Sequence, residues 1–296
     1  MTDLLEQVST ALADHAAAVA PCVVAIGTGR SHVSGILWRP DVVVTSAQEL
    51  PDRSDFNLRR AGTQITARLA GRDPGTNVAL LRLAQPIEAT LPPRAAATPR
   101  VASLALLVGA DDTGAPTGRL AMVHATGPEW HSQAGGKIDA LLRLDVRLGT
   151  DEGGPVLDAG GGLLGMSTAG PRRRALVIPA ATIDRVLDPL LAEGRIARGW
   201  LGVGLQPVAV PDSLRAVAGR DSGMMVVSLA DGGPAATAGV LPGDIMLDLD
   251  GTPVRRARSL AAAMGPDRIG QSVTLRLLRA GAVQTLPVVI AARPAA

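Results

Sequence analysis

Gly71-Arg72-Asp73-Pro74-Gly75-Thr76-Asn77-Val78-Ala79-Leu80-Leu81 decides the reading of this chain. A turn-forming cluster (Asp73, Pro74, Gly75, Asn77) runs directly into an apolar stretch over residues 78–83, the length of one buried strand. The same texture recurs on both sides. Short apolar runs bounded by Gly, Pro, Asp and Asn occupy residues 22–26, 33–38, 42–45, 64–69, 101–108, 120–125, 138–144, 163–167 and 175–178. Many short strands with frequent turns predict an all-β sandwich or barrel. Before them, Leu4, Leu5, Val8 and Leu12 stand at helical spacing and predict a short amphipathic helix over residues 3–20. After them, Ile183, Val186, Leu187, Leu190 and Leu191 form one stripe, with Gly194 as a helix stop and Pro189 as a point of kinking or shortening.

A brief polar link over 195–198 leads into a second texture. Strand-like runs at 224–228, 245–249 and 273–278 alternate with two short alanine-rich helical pieces, the size of a smaller domain. The expected division is an N-terminal helix over 1–21, a β-rich domain over 22–195 and a second domain over 196–296. The run Gly160-Gly161-Gly162-Leu163-Leu164-Gly165 matches Gly-x-Gly-x-x-Gly, but it lies between two strand-like segments. It reads as a hairpin turn, because a dinucleotide site needs that turn to open a helix.

Composition narrows the function classes. With 296 residues and 47% hydrophobic side chains, the chain has material for about two cored domains. The net charge is only +2 and the aromatics are Trp38, Phe56, Trp130 and Trp200, which disfavours base-stacking nucleic-acid readers. Lys137 is the one lysine, so the pI of 9.4 rests on arginine. Cys22 is the one cysteine, which excludes an intramolecular disulfide and a cysteine-rich metal site; beside Val23 and Val24 it reads as a buried small hydrophobe. Asp3 and Glu6 stand where a secretory leader carries positive charge, and no apolar run reaches the ~18 residues of a membrane span. The chain as given reads as cytoplasmic without a membrane span, and as periplasmic if an export segment preceded it. No metal or cofactor is expected.

Three segments carry the chemistry: 44–48 (Val-Thr-Ser-Ala-Gln), 71–81 as quoted, and 151–155 (Asp-Glu-Gly-Gly-Pro). With Gly199-Trp200-Leu201-Gly202-Val203 following in order, they resemble the HtrA/Deg family of trypsin-like serine proteases with a PDZ domain, over nearly the whole chain. The resemblance implies a mainly β protein, a trypsin-like double β-barrel followed by a smaller α+β PDZ domain. It places the family's histidine at Gln48, its aspartate at Asn77, its serine at Glu152 and an oxyanion-turn glycine at Thr150. A glutamine amide accepts no proton near neutrality, an asparagine amide cannot stabilise an imidazolium, and a glutamate has no hydroxyl. β-Branching at Thr150 disfavours presenting both oxyanion N–H groups.

The expectation is a chain with no catalytic residues and no enzymatic activity, a pseudoprotease. The alternative is an active HtrA-like endopeptidase or another hydrolase using other residues. Ser46 and Thr150 lie close in sequence to the exchanged positions, whereas His15, His32, His124 and His131 have no partners at a recognisable spacing. Adjacent Asp151 and Glu152 on a tight turn point apart, which disfavours a paired-carboxylate site. Arg172-Arg173-Arg174 reads either as a solvated loop or as a partner for Asp151 or Glu152.

In the second domain, the PDZ resemblance rests on 198–203, on Gly233-Pro234-Ala235-Ala236 and on Leu241-Pro242-Gly243-Asp244. It implies peptide binding by Trp200, Leu201, Gly202 and Val203, with Leu260 and Met264 as an apolar wall. The implied partners are protein C-termini or unfolded polypeptides, in a scaffold, adaptor, holdase or regulatory role. A homo-oligomer or a hetero-oligomer with an active relative is a further expectation.

Overall fold

The computed structural model describes residues 3–29, 31–256, 259–260 and 263–294. The first element, α1 (Leu4–Val19), starts at Asp3, whose side chain accepts from the Leu5 N–H. Its apolar stripe is not a core face: Leu4, Leu5 and Val8 are exposed, Leu12 packs at the edge and Val19 alone is buried.

Six strands follow: β1 (Val23–Gly27), β2 (His32–Arg39), β3 (Val42–Ser46), β4 (Asp55–Arg60), β5 (Thr63–Asp73) and β6 (Val78–Leu83). They close into a barrel in the order β1-β2-β3-β6-β5-β4. The run quoted from 71 to 81 is the β5–β6 hairpin, with Asp73 opposite Val78. β4 lies in a stretch that the apolar runs do not mark; only Phe56 and Leu58 alternate inward there.

The second barrel uses β7 (Leu104–Ala110) and β8 (Pro116–Gly127), then a small ribbon of β9 (Trp130–His131) and β10 (Lys137–Ile138). It continues through β11 (Leu141–Arg147), β12 (Pro155–Asp158), β13 (Leu163–Ala169) and β14 (Arg174–Pro179), and closes as β11-β14-β13-β12-β7-β8. Two expected runs are corrected. Val101 is 58% exposed in a turn where Ala102 has φ 69°, so the strand begins only at Leu104. The run 138–144 is broken between β10 and β11, where the Asp139 N–H and carboxylate are taken by the Thr182 hydroxyl. The glycine-rich run at 160–165 is a β12–β13 hairpin, its turn held by Asp158 on the Gly160 and Gly162 N–H groups.

Helix α2 (Ala180–Glu193) closes the unit and ends at Gly194 with φ 72°. It runs through Pro189, which stands on the exposed side, so the missing N–H falls away from the core. Ile183, Val186, Leu187 and Leu190 join the first barrel's core with Ile26, Ile36, Val43 and Leu80. Full burial of each such side chain contributes about 1.5–3 kcal/mol.

Two compact units result, 1–130 with 137–196, and 131–136 with 197–296. The second contains β15 (Gly199–Trp200), β16 (Val203–Ala209), α3 (Arg215–Ala218), β17 (Ser222–Leu229), α4 (Pro234–Thr237) and β18 (Ile245–Leu249). It ends with β19 (Thr252–Pro253), β20 (Ser272–Arg279), β21 (Ala282–Val289) and β22 (Ala291–Ala292). Its sheet runs β16-β17-β18-β20-β21, which leaves β16 on an edge, over a core of Leu201, Val226, Met246, Leu260, Val273 and Leu275. The molecule is mainly β, a trypsin-like double barrel with a PDZ domain.

Candidate functional site

Three loops bring positions 48, 77 and 152 together in the first unit. Gln48 lies on the one-turn helix after β3. Asn77 ends the β5–β6 turn in a left-handed conformation, φ 59°, which asparagine adopts more readily than other non-glycine residues. That turn is set by Asp73, whose carboxylate accepts the Gly75 N–H (3.0 Å), the Thr76 N–H (3.1 Å) and the Thr76 hydroxyl (2.7 Å). Glu152 lies on the β11–β12 loop and is fully buried.

The side chains form one closed network. The Asn77 Oδ1 accepts the Gln48 backbone N–H at 2.8 Å, which fixes its amide orientation. Its Nδ2 then donates to Ser46 Oγ at 2.9 Å and to Thr168 Oγ1. Gln48 Nε2 donates to Glu152 Oε1 at 2.6 Å and to the Ala169 carbonyl at 3.0 Å. Ser46 Oγ donates to the same Glu152 oxygen at 2.9 Å, and the Ala169 N–H reaches it at 3.1 Å. Burial pushes the Glu152 pKa up from its ordinary value; the donors from Ala169, Gln48 and Ser46 oppose the shift, and the nearby Glu49 charge adds to it. Arg173 Nη2 lies 3.4 Å from Glu152 Oε2, and its Nε donates to the Leu148 carbonyl at 3.1 Å. One residue of the arginine run is therefore a partner of Glu152.

The neighbouring turn is built differently. Asp151 points away from Glu152: its Oδ1 accepts the Gly149 N–H at 2.7 Å, and Arg119 Nε lies 3.3 Å from its Oδ2. The Thr150 carbonyl accepts from Ser34 Oγ at 2.8 Å, and the Glu152 N–H turns back to the Gly149 carbonyl at 3.3 Å. In this conformation that N–H is engaged within the loop. Gly153 has φ 88°, and a Cβ there would stand 2.1 Å from the Ser34 carbonyl oxygen. Only glycine permits so close an approach between the two barrels.

In the second unit, the Leu201 carbonyl accepts the Ala235 N–H at 2.9 Å and the Gly202 carbonyl accepts the Ala230 N–H at 2.8 Å. In a trans peptide the N–H points opposite to the C=O, so the Gly202 and Val203 N–H groups face away from those partners. Trp200, Leu201, Gly202, Val203, Leu260 and Met264 line one recess. Leu201 and Leu260 are mainly core, whereas Met264 is half-buried and its carbonyl accepts the Gly199 N–H at 3.0 Å. Helical spacing between Leu260 and Met264 crosses residues 261–262, which lie outside the described residues.

Sequence reasoning singled out Ser46 for its nearness and missed Thr168, which is buried and joined to both Asn77 and Gln48. The placement of Thr168 on β13 inside the cleft has no local sequence signal. His32 Nε2 lies 3.1 Å from the Ala110 carbonyl, outside the network. Burial pushes the Cys22 thiol up from its ordinary pKa. Among the described residues no group of three His, Cys, Asp or Glu side chains is placed to hold a metal ion.

The two barrels and the sheet that follows them define the class, a trypsin-like peptidase domain joined to a PDZ domain. The trypsin-like peptidase domain family matches residues 33–166, and the PDZ domain family matches residues 199–290. A probable periplasmic serine endoprotease, DegP-like, of Rhizobium meliloti (strain 1021) is 30% identical over 90% of this chain and 54% of its own length. A protein of the same description from Brucella suis biovar 1 (strain 1330) is 30% identical over 79% of this chain and 47% of its own length. The chain thus spans about half the length of these curated relatives. Among solved structures, the HtrA-type protease AlgW with tripeptide is 25% identical, with TM-score 0.73 over 96% of this chain and 98% of that one. AlgW with decapeptide has TM-score 0.75 at 23% identity, over 96% and 99%. The chain is similar to HtrA-type proteases over both domains, in the same order.

These relatives correct one expectation. The exchanges at 48, 77 and 152 led to the reading that the chain is no enzyme, yet the relatives are named serine endoproteases and the structural neighbours HtrA-type proteases. Three exchanged side chains bear on one catalytic route; they do not establish that the chain lacks activity.

Proposed function

We propose that this chain acts on polypeptides as an HtrA-type protein whose PDZ domain takes up C-terminal or unfolded segments. The observation that carries this is the open edge of β16 beside two consecutive N–H groups, those of Gly202 and Val203, turned away from the domain's own acceptors. A peptide pairs with β16 as an added strand, its terminal carboxylate takes the N–H pair, and its last side chain enters the recess by Met264. The neighbours solved with a decapeptide and a tripeptide support this reading. The relatives' names support a periplasmic location.

Endoproteolysis is the second reading, and the relatives' names favour it. Position 152 supplies no hydroxyl, so the attacking oxygen comes from elsewhere in the cleft. Ser46 Oγ, 2.9 Å from the Glu152 carboxylate, is the nearer of two hydroxyls beside that proton acceptor, Thr168 Oγ1 lying 3.4 Å from it. Ser46 and Glu152 are buried, so the Gln48 amide has to withdraw before a substrate carbonyl reaches Ser46.

Fluorescence anisotropy with peptides ending in Val, Leu, Ile or Ala tests the first reading. Free-acid peptides bind, and C-terminal amidation or Gly202→Trp weakens binding about tenfold or more; equal binding of acid and amide overturns it. Unfolded casein and a fluorophosphonate probe test the second. Turnover lost in Ser46→Ala, with probe mapped to Ser46, supports it, and turnover indifferent to Ser46→Ala overturns the Ser46 assignment.

A further inference from the structure

The arginine run does more than meet Glu152. Arg172 and Arg173 both have φ 58°, a conformation that costs a non-glycine residue about 1–3 kcal/mol. With that twist Arg173 turns to Glu152 and Leu148, while Arg172 and Arg174 line a separate recess of about 280 Å³. This recess is on the second barrel's outer surface, where β8, β11 and β14 lie side by side. His124 and Arg143 complete its polar wall, and Pro171, Leu144 and Leu176 its apolar part.

Two observations mark this surface as unfinished. Among the described residues, Arg143, Arg147, Arg172 and Arg174 form no ion pair, whereas Arg173, next to two of them in the chain, pairs with Glu49 and Glu152. Arg147 and Arg174 also stand directly opposite each other in the β11–β14 ladder, a like-charge pairing that destabilises a sheet. The acid on the same side of β11, Asp145, accepts the Met122 N–H at 2.8 Å and forms no ion pair with these arginines. Beside the cationic group, Leu120 and Met122 are 50% and 46% exposed and share the outward side of β8 with His124.

We propose that this outer face binds an acidic segment of a polypeptide. A glutamate or aspartate carboxylate is held between Arg143 and Arg174, and an adjoining apolar side chain lies in the recess or along Leu120 and Met122. Charge complementarity selects the occupant. Planar guanidinium forks match carboxylates in bidentate fashion, and an arriving anion relieves the repulsion between Arg147 and Arg174. The recess has room for a side chain or two, so the surrounding strand faces carry the rest of the segment. The site is separate from the groove beside β16 and does not depend on it.

The test uses the full chain and a fluorescein-labelled peptide alternating glutamate and leucine, amidated at its C-terminus so that it offers no terminal carboxylate. Anisotropy rises saturably, weakens with added salt, and falls about tenfold or more in affinity for Arg143→Glu with Arg174→Glu. Arg195→Glu, at an exposed position away from the recess, and Gly202→Trp leave it unchanged. If the double variant melts early, Arg143→Gln with Arg174→Gln gives the same reading. Equal binding of a glutamine-for-glutamate peptide overturns the proposal, as does unaltered binding by the double variant or equal loss in Arg195→Glu. Two other occupants are also outcomes that overturn it: self-association, seen by light scattering and abolished by the double variant, or binding of phosphatidylglycerol vesicles in place of the peptide.

Discussion

Glu152 is the hub on which the cleft of the first unit turns. Its Oε1 takes donors from Ser46, Gln48 and the Ala169 backbone, and truncation to alanine removes this acceptor from the buried Ser46 hydroxyl and the half-buried Ala169 N–H, while Gln48 keeps the Ala169 carbonyl. Glu152→Ala is expected to lose about 2–4 kcal/mol of stability, read from urea unfolding, because buried donors without acceptors pay their full desolvation cost. Glu152→Gln separates charge from shape. Since burial raises the folded-state pKa, the protonated carboxyl favours the fold; that contribution is complete below the ordinary value of 4.5 and lost as pH rises through the raised one. The stability of Glu152→Gln relative to the parent therefore rises with pH across that window, and a flat difference would count against a titrating Glu152. The sequence motifs pointed to positions 48, 77 and 152, and the arginine run offered the partner that Arg173 supplies to Glu152. Thr168 enters through a partner 91 residues away, and no local pattern encodes that pairing.

At the scale of elements, the hairpin that opened the reading was legible because turn residues and an apolar run stand side by side in it. β4 was hidden because Phe56 and Leu58 alone face inward among Asp55, Asn57, Arg59 and Arg60, too sparse an alternation to stand out. The α1 stripe misled in the opposite sense: helical spacing fixes which side chains share a face and says nothing of what covers it. Pro189 was tolerated because it falls on the helix's exposed side. The loop joining β11 to β12 is specified by Gly153, and Gly153→Ala is expected to cost more than about 2 kcal/mol in thermal or urea unfolding, through steric conflict with Ser34 and an unfavourable φ together. A variant as stable as the parent would mean that the loop relaxes without strain.

At the scale of the whole molecule, the chain pairs a peptidase-type frame with a PDZ domain, each with its own core. The fold was legible because the order of several weak motifs is specific even where none is alone. The chemistry was less so, since side chains at three positions describe one route and leave other hydroxyls of the cleft open. The backbone around Ser34 has a practical consequence. Its N–H donates to the Glu152 carbonyl at 2.8 Å, its carbonyl accepts from Thr45 Oγ1 at 2.7 Å, and its Oγ links the Ala110 N–H to the Thr150 carbonyl. One amide therefore reports on the seam between the barrels: its deuterium uptake should be among the slowest in the chain and accelerate in Glu152→Ala. Rapid labelling of Ser34 in the parent protein would reveal a cleft that breathes open without the rest of either barrel letting go.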